Sequence, residues 1–153
     1  MQQLDTLSLN QLKQKLYDFC GLQFEGSGQT RLNQAISKEM QQAGITAGQT
    51  YLQALNTSSH LWQGLINQLT INETFFYRES EQLELLTNKL LPRLLAANPN
   101  KKLKILSLGS SSGEEAYSLA IALIERFGSQ EAASRFQIDA ADIDTKVIAK
   151  ARK

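Results

Sequence analysis

The sequence predicts an α/β fold in two parts: a small amino-terminal all-α helical bundle, then the first β-α-β unit of a parallel sheet. Three observations carry this. Apolar residues recur at helical spacing through residues 9–69. An apolar run, Leu103 to Leu108, is broken by Gly109-Ser-Ser-Ser-Gly113 and followed by an amphipathic helix that opens with Glu114 and Glu115. A second short run, FQIDAA at 136–141, comes one helix later. Strand, small-residue turn, helix and strand imply parallel strands joined by a right-handed crossover.

In the bundle, Ser8 with Gln11 has the form of a capping box. Leu9, Leu12, Leu16 and Phe19 then give residues 9–20 one apolar stripe, and Gly21 ends the helix. Gly26-Ser-Gly28 reads as a loop. Leu32, Ala35, Ile36 and Met40 mark a second helix that ends before Gly44. Thr46 with Gln49 forms another box ahead of a short third helix bearing Tyr51, Leu52 and Leu55. Leu61, Trp62, Leu65, Ile66 and Leu69 mark a fourth. None is apolar all round, so each needs a neighbour. Trp62 reads as core, and His60, the only histidine, as a solvated residue near a helix start.

Residues 71–79, INETFFYRE, interrupt the helical pattern with three consecutive aromatics. Ser80 starts a helix with Leu83, Leu86, Leu90 and Leu94, which Pro92 should kink or end. Asn98-Pro-Asn100 is a turn, and Lys101, Lys102 and Lys104 read as a solvated strand edge. The boundaries are therefore 1–70 for the helical domain, 71–100 for a linker with its helix, and 101–153 for the start of the sheet domain.

Composition limits the function classes. The chain has 153 residues, 42% hydrophobic and 20% charged, with net charge +1. That balance recruits neither nucleic acid nor an anionic membrane. One cysteine, Cys20, excludes an internal disulfide framework and suits a reducing compartment. Polar glutamines follow Met1 where a secretory signal would be basic and then apolar, and no run is long enough to span a membrane. The expectation is a cytoplasmic protein. Parallel sheets bury both faces. Two strands cannot build such a layer, so the chain reads as the amino-terminal part of a longer protein. Alone, it either exposes apolar surface or covers it by self-association.

The turn after the first strand is the chemical focus. Its glycines permit close approach to the backbone, and the next helix N-terminus faces the crevice at the strand's carboxyl end. Two carboxylates in the first helical turn suit the helix dipole but repel a polyanion. A cation, or a ligand with ribose hydroxyls, fits better. Asp142 ends the second strand, where an acid holds ribose hydroxyls in dinucleotide-binding sheets. The glycine spacing is not G-x-G-x-x-G. Gly109-x-Ser111-x-Gly113 also fits the nucleophile elbow, which would make Ser111 an acyl nucleophile in a serine hydrolase. No histidine follows it up to Lys153 to serve as base, so that reading needs one from a carboxyl half.

Asn72-x-Thr74-x-x-x-Arg78-Glu79, then LSLGSSSGEEAYSLA, then AADID, in this order, resemble the chemotaxis receptor methyltransferase (CheR) family. Its members are S-adenosylmethionine-dependent protein-glutamate O-methyltransferases. The resemblance covers the whole chain in layout and implies that residues 101–153 begin a Rossmann-like methyltransferase domain. It places Asn72, Thr74 and Arg78 beside the cofactor, with Gly109 and Glu114 at the glycine turn and Asp142 on the ribose hydroxyls. The product would be S-adenosylhomocysteine. A guanidinium holds a carboxylate in a fixed fork, so Arg78 is the candidate catalytic residue, positioning the substrate glutamate or the cofactor's methionine end. No residue is assigned to a metal. The implied partner is a protein substrate, such as a chemoreceptor cytoplasmic domain. Two departures stand out. Ala116 takes the place of the proline usual after the Glu-Glu pair. Residues 9–20 offer only Lys13 and Lys15 where receptor-docking members often carry a basic helix. A non-catalytic alternative makes the helical domain a partner-binding module, with the sheet domain retained as scaffold or cofactor sensor.

Overall fold

The computed structural model describes residues 4–153. The chain falls into two compact units, Met1–Thr70 and Ile71–Lys153.

The first unit is helical: α1 (Thr6–Cys20), α2 (Ser27–Gln42), α3 (Gly48–Thr57) and α4 (Ser59–Leu69). The cap of α1 differs from the sequence expectation. Asp5, not Ser8, is the N-cap, and its carboxylate accepts the Ser8 amide at 2.8 Å and the Ser8 hydroxyl at 3.1 Å. Those bonds, with one from Gln49, hold the Asp5 carboxyl below its usual range. Gln49 is therefore a tie from α3 to the start of α1 and does not close a box with Thr46; Ala47 precedes α3 without a side-chain cap. Gly21 ends α1 in the left-handed region, as the sequence indicates. Gly28 lies inside α2, which begins at Ser27, so the glycine pair is a helix start and not a loop. The core gathers Leu9, Leu12, Leu16, Leu32, Met40, Leu65 and Leu69. Phe19 stays outside it, 59% exposed, and meets Trp62 edge-on at 5.7 Å.

A carboxylate lies within this core. Glu39 of α2 is 4% exposed and sits directly against Gly64 of α4. Tyr51 is fully buried; burial and then the Glu39 charge push its phenol above the usual value. In an open helix interior, Gly→Ala gains roughly 0.5–1 kcal/mol. At Gly64 the new Cβ would fall within the van der Waals envelope of the Glu39 carboxylate. Gly64→Ala is therefore expected to destabilise by about 1–3 kcal/mol in urea unfolding, the usual cost of overpacking. In a Glu39→Ala background the same substitution should turn stabilising. A gain in both backgrounds would refute the contact.

The second unit runs α5 (Ser80–Leu85), a π-helical turn (Leu86–Leu90), α6 (Leu91–Ala97), β1 (Leu103–Leu108), α7 (Glu114–Phe127), α8 (Ser129–Arg135), β2 (Phe136–Ala141) and α9 (Thr145–Ala151). Pro92 neither ends the helix nor stands alone as a kink. The wide π turn precedes it, where a regular turn would drive the proline ring into the carbonyl four residues back, and the helix continues to Ala97. The π turn also shifts the buried face. Leu90 and Leu94 are 49% and 40% exposed, while Thr87 and Leu91 are buried. Thr87 donates to the Leu83 carbonyl at 3.0 Å, which satisfies its buried hydroxyl.

β1 and β2 pair in parallel, Leu103 opposite Phe136 through Leu108 opposite Ala141. Leu103, Ile105, Phe136 and Ile138 pack with Leu119 and Leu123 of α7 and with Leu91 of α6. Ile124 of α7 lies outside this core, 49% exposed. α8, which has only a weak apolar signal in sequence, contributes Ala132 to this core. The opposite face of β1 is open: Leu106 is 62% and Leu108 77% exposed. Among the described residues, no helix is long and apolar enough to cross a membrane.

Candidate functional site

β1 ends at Leu108 and the chain turns at once. Gly109 takes φ +76°, and the Gly109 and Ser110 amides both donate to the Ala141 carbonyl, at 2.8 and 3.0 Å. The turn is thus clipped to the carboxyl end of β2. A Cβ on Gly109 would meet nothing within 4 Å, so the approach to this backbone is open. Ser110 is 1% exposed, and its hydroxyl has no partner among the described residues. Gly113 precedes α7 at φ +100° and no side chain caps that helix.

Four residues from three segments close a ring of hydrogen bonds here. The Ser111 amide donates to Asp142 Oδ2 at 2.8 Å. The Asp144 amide donates to Asp142 Oδ1 at 2.8 Å. The Asn72 side-chain amide donates to Asp144 Oδ2 at 2.6 Å. The Ser111 hydroxyl donates to the Asn72 carbonyl at 3.1 Å, which completes the circuit. Ser111 holds φ +48°, an uncommon value for a residue with a Cβ. Backbone strain of that kind persists where surrounding bonds impose it, and the ring supplies them.

The acids at the start of α7 divide their work. Glu114 accepts the Ser112 hydroxyl on both oxygens, at 3.0 and 2.9 Å. Glu115 accepts the Ser107 hydroxyl of β1 at 2.6 Å. Ser118 joins the linker to this helix: it donates to the Glu114 carbonyl at 2.6 Å and accepts the Tyr77 amide at 2.9 Å. Tyr77 and Glu79 both have positive φ, 58° and 56°, and they flank Arg78. Arg78 donates to the Glu73 carbonyl at 2.9 Å and lies 5.9 Å from the centre of the Phe75 ring. It lines a groove of about 370 Å³ with Glu79, Gln82, Ser107 and Glu115.

The structure therefore brings Asn72, Gly109 and Asp142 together around the turn, with Glu114 opening the adjacent helix. Arg78 lies in the groove along β1, with one guanidinium donor bonded to its own linker. Thr74 is half-buried in the same linker. Ser111 is 5% exposed and its hydroxyl is bound to a backbone carbonyl, which makes it a tether and not a presented nucleophile. Sequence reasoning passed over Asp144, Ser118 and the Glu115–Ser107 bond. Asp144 had one legible signal, an acid directly before a helical run, the signature of an N-cap.

These features decide what the turn can hold. An orphaned buried hydroxyl, an unobstructed glycine backbone and a carboxylate at the end of β2 offer hydrogen bonds to a neutral, hydroxyl-bearing ligand. The two acids at α7 favour a positive centre.

The family model for the CheR methyltransferase, SAM binding domain, matches residues 72–153. The chain belongs to the CheR methyltransferase family. Its cofactor is S-adenosylmethionine, which carries both ribose hydroxyls and a positive sulfonium, and the donor set described above fits such a group. Chemotaxis protein methyltransferase 2 of Vibrio cholerae is 40% identical over 102 residues, covering 67% of this chain and 35% of that protein. The chemotaxis protein methyltransferase of Escherichia coli is 30% identical over 151 residues, covering 97% of this chain and 50% of its own length. A probable biofilm formation methyltransferase, WspC, of Pseudomonas putida is 36% identical over 134 residues, covering 86% and 30%. The chain thus spans between 30% and 50% of the length of these relatives.

Proposed function

We propose that the chain is part of a cytoplasmic protein-glutamate O-methyltransferase that modifies a chemotaxis signalling protein, a chemoreceptor cytoplasmic domain. The observation that carries this is the Asn72–Ser111–Asp142–Asp144 ring at the carboxyl end of the sheet, inside the region matched by the CheR family model. When bound, S-adenosylmethionine supplies an activated methyl group on a sulfonium. In this reading, Asp142 accepts from the ribose hydroxyls with the lone pairs its two amide partners leave free. Gly109 lets the ligand lie against the backbone, and Glu114 faces the positive centre. Asn72 and Thr74 border the same ligand from the linker.

The acceptor needs little help. A glutamate is ionised at neutral pH and is itself the nucleophile, so the reaction requires no Ser/His/Asp set. Opposite charges are partly neutralised as the methyl group moves, so a water-poor site favours the step. The remaining task is positioning. Arg78 is suited to it: the strained linker and the Glu73 carbonyl fix its head, and the remaining guanidinium donors can grip a carboxylate.

The test is transfer of labelled methyl groups to a chemoreceptor cytoplasmic fragment. The label should be released as methanol in mild alkali, the behaviour of a carboxyl ester. Arg78→Ala is expected to lower transfer about 100-fold or more, as loss of a charged two-point contact does, and Arg78→Lys should not restore it. Alkali-stable label, or full activity in Arg78→Ala, would contradict the assignment.

A further inference from the structure

The most deeply buried member of the ring lies at the start of α9. Asp144 is 2% exposed, yet its carboxylate is fully engaged. Oδ1 accepts the Lys146 and Val147 amides at 2.8 and 3.4 Å as the N-cap of α9, and Oδ2 accepts the Asn72 side chain. Its own amide donates to Asp142. The buried carboxylate thus ties the linker to the start of α9, and the backbone amide of the same residue bonds the Asp142 carboxylate that in turn holds Ser111.

We propose that Asp144 is the positioning residue of this site: through Asn72 and Asp142 it sets both ligand-facing segments, without touching the ligand itself. The effect on ligand affinity rests on the S-adenosylmethionine reading above; the effect on the ring does not. Burying a charge is costly unless it is well bonded. A neutral asparagine would satisfy the α9 cap equally well. An aspartate also gives the Asn72 amide its acceptor, where an amide group on that side of position 144 would set a donor against a donor.

The experiment uses Asp144→Asn, Asn72→Asp and the double variant that exchanges the two side chains. All are compared with wild type well below their melting temperatures. Asp144→Asn keeps the helix cap and folds. Its affinity for S-adenosylhomocysteine should fall about tenfold, the loss of one charged hydrogen bond. Exchange of the Ser111 amide should accelerate in both single variants; in Asn72→Asp two carboxylates face each other. The double variant restores one donor opposite one acceptor and should recover most of the Ser111 protection. Unchanged affinity in Asp144→Asn, or a double variant that exchanges as fast as the singles, would overturn the inference. If wild type itself fails to bind S-adenosylhomocysteine, the cofactor reading falls, and the Ser111 exchange cycle alone decides for or against the ring.

Discussion

Asp142→Ala is expected to reduce S-adenosylhomocysteine affinity by about 100-fold or more. The estimate counts two hydrogen bonds to a charged acceptor at roughly 1.5–3 kcal/mol each. The loss has a second source. Asp142 also holds the Ser111 and Asp144 amides, so its removal leaves both without their acceptor and loosens the turn that faces the ligand. Asp142→Asn separates the two contributions. It keeps one acceptor oxygen and puts an amide against the other donor, so its affinity should fall between those of wild type and Asp142→Ala. Equal affinities in wild type and Asp142→Ala, measured by calorimetry, would remove Asp142 from the site.

Gly113→Ala should be the most damaging single methyl group in the second unit. Gly113 sits at φ +100°, beyond the left-handed well that residues with a Cβ tolerate. The added Cβ would lie 3.0 Å from the Tyr117 ring and 3.2 Å from the Ala151 Cβ. Neither neighbour can easily retreat. Tyr117 donates its hydroxyl to the Ala151 carbonyl at 2.7 Å, which fixes the ring across the turn. Backbone strain of about 1–2 kcal/mol and overpacking of about 1–3 kcal/mol together put the loss near 3 kcal/mol. For a unit of this size that lowers the melting temperature by roughly 10 °C or more. A shift within 2 °C of wild type would show that the turn is not built this way, on the same scale.

The contrast between the two β-strands and the linker helix shows what the sequence makes legible. Leu103–Leu108 and Phe136–Ala141 were readable to the residue, because a short apolar run stopped by a glycine or by an Asp pair admits few alternatives. The helix after Ser80 was readable as a helix, but its buried face was not. Local spacing selects Leu90 and Leu94, whereas the π turn demanded by Pro92 advances the register and buries Thr87 and Leu91 instead. The caps differ in the same way. Ser8 and Thr46 have the right chemistry for N-caps, but Asp5 caps α1 through a local bond to the Ser8 amide, and Gln49 is drawn to Asp5 by a tertiary contact that no local pattern contains.

At the site, the glycine turn, Glu114 and Asp142 were legible because strand ends and helix starts are marked locally. Their connection was not. Asn72 and Asp144 lie 72 residues apart in sequence, and only the folded chain shows that they bond. Ser111 illustrates the ambiguity most clearly. Its sequence context fits a nucleophile elbow, and its positive φ fits one too, but its hydroxyl points to the Asn72 carbonyl and its amide to Asp142.

The measurement that tests the central claim most directly is a backbone amide chemical-shift map of the chain titrated with S-adenosylhomocysteine. The account predicts saturable shifts at Gly109–Glu114, at Asp142–Asp144 and at Asn72, with residues 4–69 unmoved. No saturable shift, or shifts confined to the helical unit, would contradict it.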